Sequence, residues 1–203
     1  MARRITDNGL APVAQRLVEK TIETIAAHGI ENMTIEDIAR DAGCSRATLY
    51  RYFPGKQQLL TAALQTEVAR AVHGLEEALD VAETLEDVVV NALMYGSRVF
   101  IDHPALRALL GEDPEMVMPF LSFGGADETH RVSAGTIAPR MARFGFSHSD
   151  GMMAGQWFTR LVLSYVATPS DTVDLGNEAS VRSLVQTLIL PGLAAQQASS
   201  SSG

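Results

Sequence analysis

The amino-acid sequence predicts an all-α protein. Apolar residues recur at helical spacing rather than in strict alternation, and no hairpin signal or internal repeat interrupts them. The chain has 203 residues, 46% of them apolar, which fits one medium domain or a small domain fused to a larger one. We expect a mobile basic arm over residues 1–10 and a disordered serine-rich tail over 198–203.

Prolines, glycines and capping residues predict where the helices begin and end. Pro12 suits a first helical position and Gly29 a left-handed stop, which together predict a helix over about residues 12–28. A proline cannot continue a helix, so Pro191 with Gly192 should close the last one. Further helices are expected over about 56–80, 84–102, 127–144, 149–167 and 177–190, and residues 104–125 should form short helices and turns.

Residues 34–60 contain two short helices joined by a tight turn. Thr34 can cap the first helix, with an acidic residue three positions on, as a capping box requires. Gly43 supplies the turn, Ser45 can cap the second helix, and Pro54 ends it. Two helices in this arrangement form a helix-turn-helix, which inserts its second helix into a major groove of DNA.

The second helix of this pair has the side chains that a major groove requires. Ser45, Arg46 and Thr48 are polar and of moderate size, so they are expected to face base edges. Ala47 and Leu49 are apolar and should face the other helices. Arg46 is the best candidate for reading guanine, because a guanidinium can donate to both O6 and N7.

Charge is distributed unevenly along the chain. Residues 1–56 contain eight Lys/Arg and seven Asp/Glu, a net charge of +1, whereas residues 57–203 contain eight and seventeen, a net charge of −9. The total of −8 excludes a protein that coats nucleic acid along its whole surface. Only the N-terminal quarter is therefore electrostatically suited to phosphate.

The string TIEDIARDAGCSRATLYRYFPGKQQLL closely resembles the signature of the TetR/AcrR (tetracycline-repressor-like) family of transcriptional regulators. In that signature a capped helix leads through A-G-x-S to T-L-Y-x-Y-F and then to a lysine-led helix, and the matching stretch covers about residues 12–60. The resemblance implies a three-helix DNA-binding head over 11–55 and a helical ligand-binding and dimerisation domain over 56–197. It also implies a two-fold dimer.

The resemblance assigns contacts with DNA to individual residues. It implies that a homodimer binds a palindromic double-stranded DNA operator, with phosphate contacts positioning the head and base contacts specifying the site. Each contact residue also has a structural alternative: a threonine can be only a cap, a tyrosine only a packing aromatic, a lysine only a solvated charge. The residues to which contacts are assigned are Thr34, Ser45, Arg46, Thr48, Tyr50, Tyr52 and Lys56.

Cys44 departs from the family pattern, which commonly has valine at this position. It is the one cysteine of the chain, so no intrachain disulfide can form. One interpretation is a thiol switch beside the second helix of the pair; the other is a small apolar residue that fills the place of valine. Nothing in the neighbouring sequence guarantees a lowered thiol pKa, which favours the second interpretation.

The rest of the chain has no catalytic or metal-binding motif. Its histidines are scattered without the spacing of a metal site, and no phosphate loop, nucleophile elbow or dinucleotide fingerprint occurs. We therefore expect no enzymatic activity, no metal and no cofactor.

Methionines and aromatic residues are plentiful in this larger part of the chain. Such side chains line pockets between helices and adapt to different guests, although plain core packing would use the same residues. Together with the family resemblance they predict a small apolar or aromatic effector. The candidate pocket residues are Met94, Tyr95, Arg98, His103, Met116, Phe120, Phe123, Trp157 and Phe158.

The last two long helices are expected to form the dimer interface. Two such helices from each chain would make a four-helix bundle, and the two-fold axis would hold the heads about 34 Å apart, one turn of DNA. The apolar residues expected there are Leu161, Val162, Val166, Leu184, Val185 and Leu188.

The sequence therefore predicts a ligand-responsive transcriptional repressor that an effector releases from DNA. The cytoplasm is the expected compartment, because the first ten residues lack the apolar region of a signal peptide and no apolar run approaches the length of a membrane helix. Two alternatives stay open: a regulator that has no small-molecule effector or acts as an activator, and a small-molecule enzyme on a helical scaffold.

Overall fold

The computed structural model describes residues 11–102 and 126–200. Within these ranges every regular element is helical, which confirms the predicted all-α class. A π-helical turn, Val185–Ile189, leads directly into the last helix. The α-helices are α1 (Pro12–His28), α2 (Ile35–Asp41), α3 (Arg46–Tyr52), α4 (Lys56–Asp80), α5 (Leu85–Asp102), α6 (Ala126–Ala142), α7 (His148–Ala167), α8 (Glu178–Leu184) and α9 (Leu190–Ser200).

Three stretches lie outside the described residues: 1–10, 103–125 and 201–203. The predicted basic arm, the predicted short helices of residues 104–125 and the end of the predicted tail fall in them. None of the described helices is both long enough and apolar enough to cross a membrane.

The described residues divide into two compact units. The first takes in residues 11–71, and the second takes in 72–102 and 126–200. The division therefore falls within α4, beyond residue 55, where the DNA-binding head was expected to end. The N-terminal part of α4 adds to the core of the first unit, since Leu59 is fully buried and Leu60 is nearly so.

Apolar residues on one face of α1 form the centre of the first unit. Leu17, Val18 and Ile25 are at most 2% exposed and recur at helical spacing. Ile38 of α2 and Leu49 of α3 are fully buried, and both short helices pack against α1 and against each other. This packing makes the two short helices part of one three-helix core.

Side-chain caps begin both short helices, as the sequence predicts. Thr34 Oγ1 accepts from the Asp37 amide at 3.1 Å and donates to the Asp37 carboxylate at 2.5 Å. Ser45 Oγ accepts from the Thr48 amide at 3.1 Å. Gly43, with φ of 66°, makes the turn between the helices, and this backbone conformation favours glycine.

The core of the second unit is built around α5. Val89 and Leu93 lie one turn apart on this helix and are fully buried. They belong to one apolar cluster with Met141 of α6, Phe158 of α7 and Val185 of the π-turn. Thr84 caps α5 through the Asp87 amide at 3.1 Å, in the predicted box.

Small residues allow α6 and α7 to pack very closely. A Cβ on Gly155 would lie 2.7 Å from the Ala134 Cα, and one on Gly151 would lie 2.9 Å from the Ala138 Cα. These four residues recur every fourth position, so they form one small-residue seam along the two helices. A larger residue in the seam would meet backbone, which cannot move aside easily.

An ionic cluster connects α8 with the beginning of α5. Arg182 donates to Glu86 at 3.0 Å, to Asp87 at 3.1 Å and to Glu178 at 2.9 Å. The Thr84 hydroxyl lowers the pKa of Asp87, and Arg182 lowers it further. The cluster holds α8 against the beginning of α5, although the two helices are distant in sequence.

The prediction that the C-terminal helix ends before Pro191 is wrong. An interior proline lacks an N–H, and its ring clashes with the carbonyl four residues back. Here the preceding turn widens into a π-turn, in which the Leu190 amide donates to the Val185 carbonyl. The wider turn accommodates the proline, and α9 continues to Ser200, taking in the first residues of the predicted tail.

Gly155→Ala should destabilise the protein because the new methyl group meets the Ala134 backbone. We expect a loss of about 1–3 kcal/mol in the free energy of unfolding, the usual cost of overpacking. Urea unfolding at fixed protein concentration measures it. Gly135→Ala is the matched control: its Cβ would meet nothing within 4 Å, so it should raise stability by up to about 1 kcal/mol through helix propensity. Equal effects of the two substitutions would contradict the close packing of α6 and α7.

Candidate nucleic-acid interface

The second helix of the helix-turn-helix, α3, is anchored by one side and exposed on the other. Leu49 is fully buried, whereas Arg46 and Tyr50, four residues apart, share the exposed face. Ala47 is also exposed, so the prediction that it faces the other helices is wrong. A helix of seven residues has room for one buried stripe, and Leu49 occupies it.

Ser45 and Thr48 are bonded to each other at the beginning of α3. Their hydroxyl oxygens lie 3.0 Å apart, and Ser45 Oγ also caps the helix. Ser45 is exposed and Thr48 is half-buried. The cap holds both hydroxyls at the end of α3 that a helix-turn-helix directs toward base edges.

Arg46 is paired with an acidic residue of the preceding helix. Its Nη2 lies 2.7 Å from Glu36 Oε1 in an ion pair, and the two side chains are 61% and 50% exposed. A guanidinium has five N–H donors, so this contact leaves others available. Sequence reasoning missed Glu36 because periodicity within one helix cannot predict a contact between two helices.

The two tyrosines have different surroundings. Tyr50 is 42% exposed, which suits a side chain that contacts a partner. Tyr52 is half-buried, and the Arg51 guanidinium lies 5.2 Å from the centre of its ring. Tyr52 therefore has the packing role that the sequence left as an alternative, with its assigned DNA contact still a prediction.

Lys56 has a structural role that the sequence did not reveal. Its ammonium donates to the Ile30 carbonyl at 2.8 Å and to the Met33 carbonyl at 3.0 Å. It thereby connects the beginning of α4 to the loop between α1 and α2. An ammonium has three donors, so one is left for the predicted phosphate contact.

Cys44 is half-buried in the turn before α3. Its backbone amide donates to the Ala39 carbonyl at 2.9 Å, which fixes the turn independently of the side chain. A half-buried position suits a small residue in place of valine, and neither interpretation of the thiol is decided by it.

The candidate pocket residues do not form one group. Met94 and Tyr95 are half-buried and Arg98 is exposed, all on α5. Phe158 is part of the apolar core at 1% exposure, whereas the neighbouring Trp157 is 45% exposed. Adjacent residues on a helix point about 100° apart, so these two side chains face different surroundings, and their assignment to a pocket stays a prediction. Four further candidates, His103, Met116, Phe120 and Phe123, lie outside the described residues.

Half of the residues assigned to the dimer interface are inside the chain's own core. Val162, Leu184 and Val185 are at most 8% exposed and belong to the apolar cluster of the second unit, so they present no surface to a partner. Leu161 and Val166 are half-buried, and Leu188 is 69% exposed. This part of the prediction is wrong for the three core residues, because helical spacing alone cannot tell a core face from an interface.

Two side chains that were not among the predicted site residues have unusual surroundings. Ser97 on α5 is 1% exposed, and no described hydrogen-bond partner lies near its hydroxyl. Met153 is an apolar residue on α7 with 56% exposure, one turn before Trp157. Within residues 11–102 and 126–200, no three His, Cys, Asp or Glu side chains form a group that could hold a metal ion.

Comparison with known proteins identifies the N-terminal region. Residues 17–63 match the family model described as bacterial regulatory proteins, tetR family. Over 59 residues the chain is 42% identical to the HTH-type transcriptional regulator BetI of Agrobacterium fabrum, covering 29% of each protein. It is 32% identical over 79 residues to the HTH-type transcriptional regulator SrpR of Pseudomonas putida, covering 39% of this chain and 37% of that protein. The chain thus spans about a third of the length of these curated relatives.

The fold is similar to solved structures over nearly its full length. The TetR family repressor AlkX from Dietzia sp. strain DQ12-45-1b superposes with a TM-score of 0.65 and 17% identity, covering 89% of this chain and 96% of that one. At this identity the likeness concerns the fold, while the sequence match concerns the helix-turn-helix. The matched residues 17–63 and the capped α2–α3 pair identify a helix-turn-helix DNA-binding domain of the tetR family of bacterial regulatory proteins in this chain.

Proposed function

We propose that the protein is a ligand-responsive repressor that binds a palindromic DNA operator as a dimer and is released by a small effector. The observation that carries the DNA-binding part is the exposed face of α3, where Arg46 and Tyr50 lie beside a helix start capped by Ser45. Arg46 would read a base, and the exposed hydroxyls of Thr34 and Tyr50 would contact phosphates.

Ser97 supports a small-molecule effector in the second unit. Threonines in the helices usually donate to the carbonyl four residues back, which satisfies a buried hydroxyl within its own helix. The six that do so are Thr21, Thr24, Thr61, Thr66, Thr136 and Thr159. Ser97 is more deeply buried than most of them and has no such bond among the described residues. A buried hydroxyl without a partner costs stability, and an effector with an oxygen or nitrogen would satisfy it.

The composition of the second unit's core favours a neutral effector. Its buried polar residues, among those described, are Ser97, His130 and Thr136, and no buried Asp, Glu, Lys or Arg accompanies them. Transfer of an ionised group into such surroundings without a partner of opposite charge is expensive. The effector is therefore expected to be largely apolar, with one neutral hydrogen-bonding group.

Exposed apolar residues on α7 support a dimer. Met153 and Trp157 lie one turn apart on the same face and are 56% and 45% exposed, while Ala154 and Phe158 on the next face are in the core. Large apolar side chains that recur on an exposed helix face are typical of an interface. This face replaces the core residues of α7 as the proposed contact with a second copy.

α4 is suited to couple effector binding to DNA binding. In the first unit, Arg70 of α4 is paired with Glu19 of α1. In the second, Asn91 of α5 donates to the Ala78 carbonyl at 2.9 Å, and Arg140 of α6 is 2.6 Å from Asp80. A change in the packing of α5 or α6 would therefore reach α4, which continues into the head. Such couplings are typically about 1–3 kcal/mol and reciprocal between the two ligands.

Arg46→Ala should weaken binding to an operator recovered by selection from random duplexes. Loss of a base contact of this kind lowers affinity by about 1–3 kcal/mol, roughly five- to 150-fold, and relaxes the sequence preference at one position. Fluorescence anisotropy across a salt series measures both effects. Arg160→Ala, which removes an exposed arginine from the second unit, is the control and should change little. A native protein that enriches no sequence would contradict the proposed function.

Ser97→Ala should stabilise the effector-free protein. Removal of a buried hydroxyl that has no partner recovers its desolvation cost, about 1–3 kcal/mol, in the free energy of unfolding. Thr136→Val is the matched control, because the Thr136 hydroxyl donates to the Val132 carbonyl at 3.1 Å and its loss should destabilise. Urea unfolding compares the two, and destabilisation by both substitutions would show that Ser97 is already bonded within the protein.

Trp157→Glu should convert the dimer into monomers. A carboxylate on the proposed interface would have to be desolvated without a partner, so self-association should fall by at least tenfold, or about 1.4 kcal/mol. Light scattering during size-exclusion chromatography gives the mass. Val81→Glu introduces the same charge at another exposed apolar residue, 74% exposed, and should leave the dimer intact. A native protein that elutes as a monomer would contradict the dimer.

A further inference from the structure

The ion pair between Glu36 and Arg46 belongs to the tertiary structure of the helix-turn-helix. Glu36 is in the first turn of α2 and Arg46 is the first residue of α3, so the contact forms only when the two helices are packed together. At 2.7 Å the Nη2 and Oε1 atoms form a close ion pair. The pair therefore holds the guanidinium close to the Glu36 carboxylate when the motif is folded.

Glu36 differs from the other acidic residues of α2 in its partner. Asp37 accepts from Thr34 and lies 2.6 Å from Arg40, and Asp41 lies 3.3 Å from the same arginine. The partners of these two carboxylates thus belong to α2 itself or to its N-cap residue. Glu36 is the acidic residue of this helix whose described partner is on α3.

The helix-turn-helix has no excess of positive charge. Residues 35–52 contain three acids, Glu36, Asp37 and Asp41, and three arginines, Arg40, Arg46 and Arg51, so their net charge is zero. Attraction of phosphate, which supplies non-specific affinity, depends on such an excess. Neutralisation of Arg46 by Glu36 is therefore a direct reduction of non-specific attraction at the face of α3.

A base edge and a phosphate respond differently to this pair. A phosphate that approaches Arg46 is repelled by the Glu36 carboxylate, whereas the O6 and N7 acceptors of guanine carry no net charge. The guanidinium keeps its other N–H donors available while Nη2 is paired with Glu36. The pair thus preserves the hydrogen bonds that read a base and weakens the attraction that holds any backbone.

We propose that Glu36 is a specificity-determining residue that orients Arg46 and neutralises it, so that the guanidinium contacts a base edge in preference to a phosphate. This inference rests on the proposed DNA-binding function. Glu36 acts through Arg46 and is a positioning residue rather than a DNA contact itself.

The test measures binding of the full chain to a random-sequence duplex and to a selected operator across a salt series. Glu36→Gln should raise affinity for the random duplex about two- to fivefold, the range expected when an exposed ion pair is removed. It should also steepen the salt dependence by about 0.9 in log–log slope, because one more phosphate is neutralised. Affinity for the operator should change less, so the ratio of specific to non-specific affinity falls.

Two controls separate an action through Arg46 from general electrostatics. Glu31→Gln makes the same charge change at an exposed residue between α1 and α2, and should leave the ratio unchanged. In an Arg46→Ala background, Glu36→Gln should raise affinity for the random duplex clearly less than it does in the native protein. A full effect in that background, or an equal effect of Glu31→Gln, would overturn the role assigned to Glu36.

The outcomes also distinguish this inference from the proposed function. If the native protein binds an operator selectively but Glu36→Gln leaves the affinity ratio intact, only the role of Glu36 is wrong. If the native protein binds no duplex selectively, the DNA-binding proposal fails and the role of Glu36 fails with it. Circular dichroism melting confirms that each variant is folded, which the exposure of both side chains leads us to expect.

Discussion

The packing of two very short helices is the constraint on which the rest of the structure depends. α2 and α3 have seven residues each, and helices of that length are not stable alone in water. They persist because Ile38 and Leu49 are fully buried and because Thr34 and Ser45 cap their first turns. The core of the head thus sets the orientation of the exposed face of α3. The positions of the side chains that would contact DNA depend on that core.

Several polar residues to which DNA contacts are assigned also have a structural role in the motif. Lys56 holds the loop between α1 and α2 and keeps one N–H donor, and Ser45 caps α3 while its side chain stays exposed. A side chain whose position is fixed by an internal bond loses less conformational entropy when it contacts a partner. The same residues can therefore stabilise the head and present it to DNA.

The second unit combines tight helix packing with a buried hydroxyl, on Ser97, that has no hydrogen-bond partner among the described residues. The small-residue seam between α6 and α7 brings two backbones close together, and a seam of this kind leaves little freedom for those helices. Ser97 on α5 is the contrasting feature, a buried hydroxyl without a described partner. If the proposed effector bonds Ser97, it would therefore act on α5 rather than on the closely packed α6 and α7.

The sequence by itself determined most of the helix bounds, the caps and the all-α class of the protein. Proline, glycine and capping residues act on the local backbone, so the bounds of α1, α2 and α3 and the caps at Thr34, Ser45 and Thr84 could be read without a structure. The family resemblance of residues 34–60 could also be recognised without a structure, because the motif consists of residue types at fixed local spacing.

The tertiary structure alone decided which faces are buried and which polar groups meet. Helical spacing could not tell whether Val162 and Trp157 are buried or exposed. Val162 is in the core, and Trp157 is at the surface. Pro191 was expected to end a helix, and a π-turn accommodates it instead. The contacts of Arg46 with Glu36, of Lys56 with two carbonyls and of Arg182 with α5 all join separate elements. Such contacts depend on how helices pack, and packing is a property of distances in space rather than of spacing along the chain.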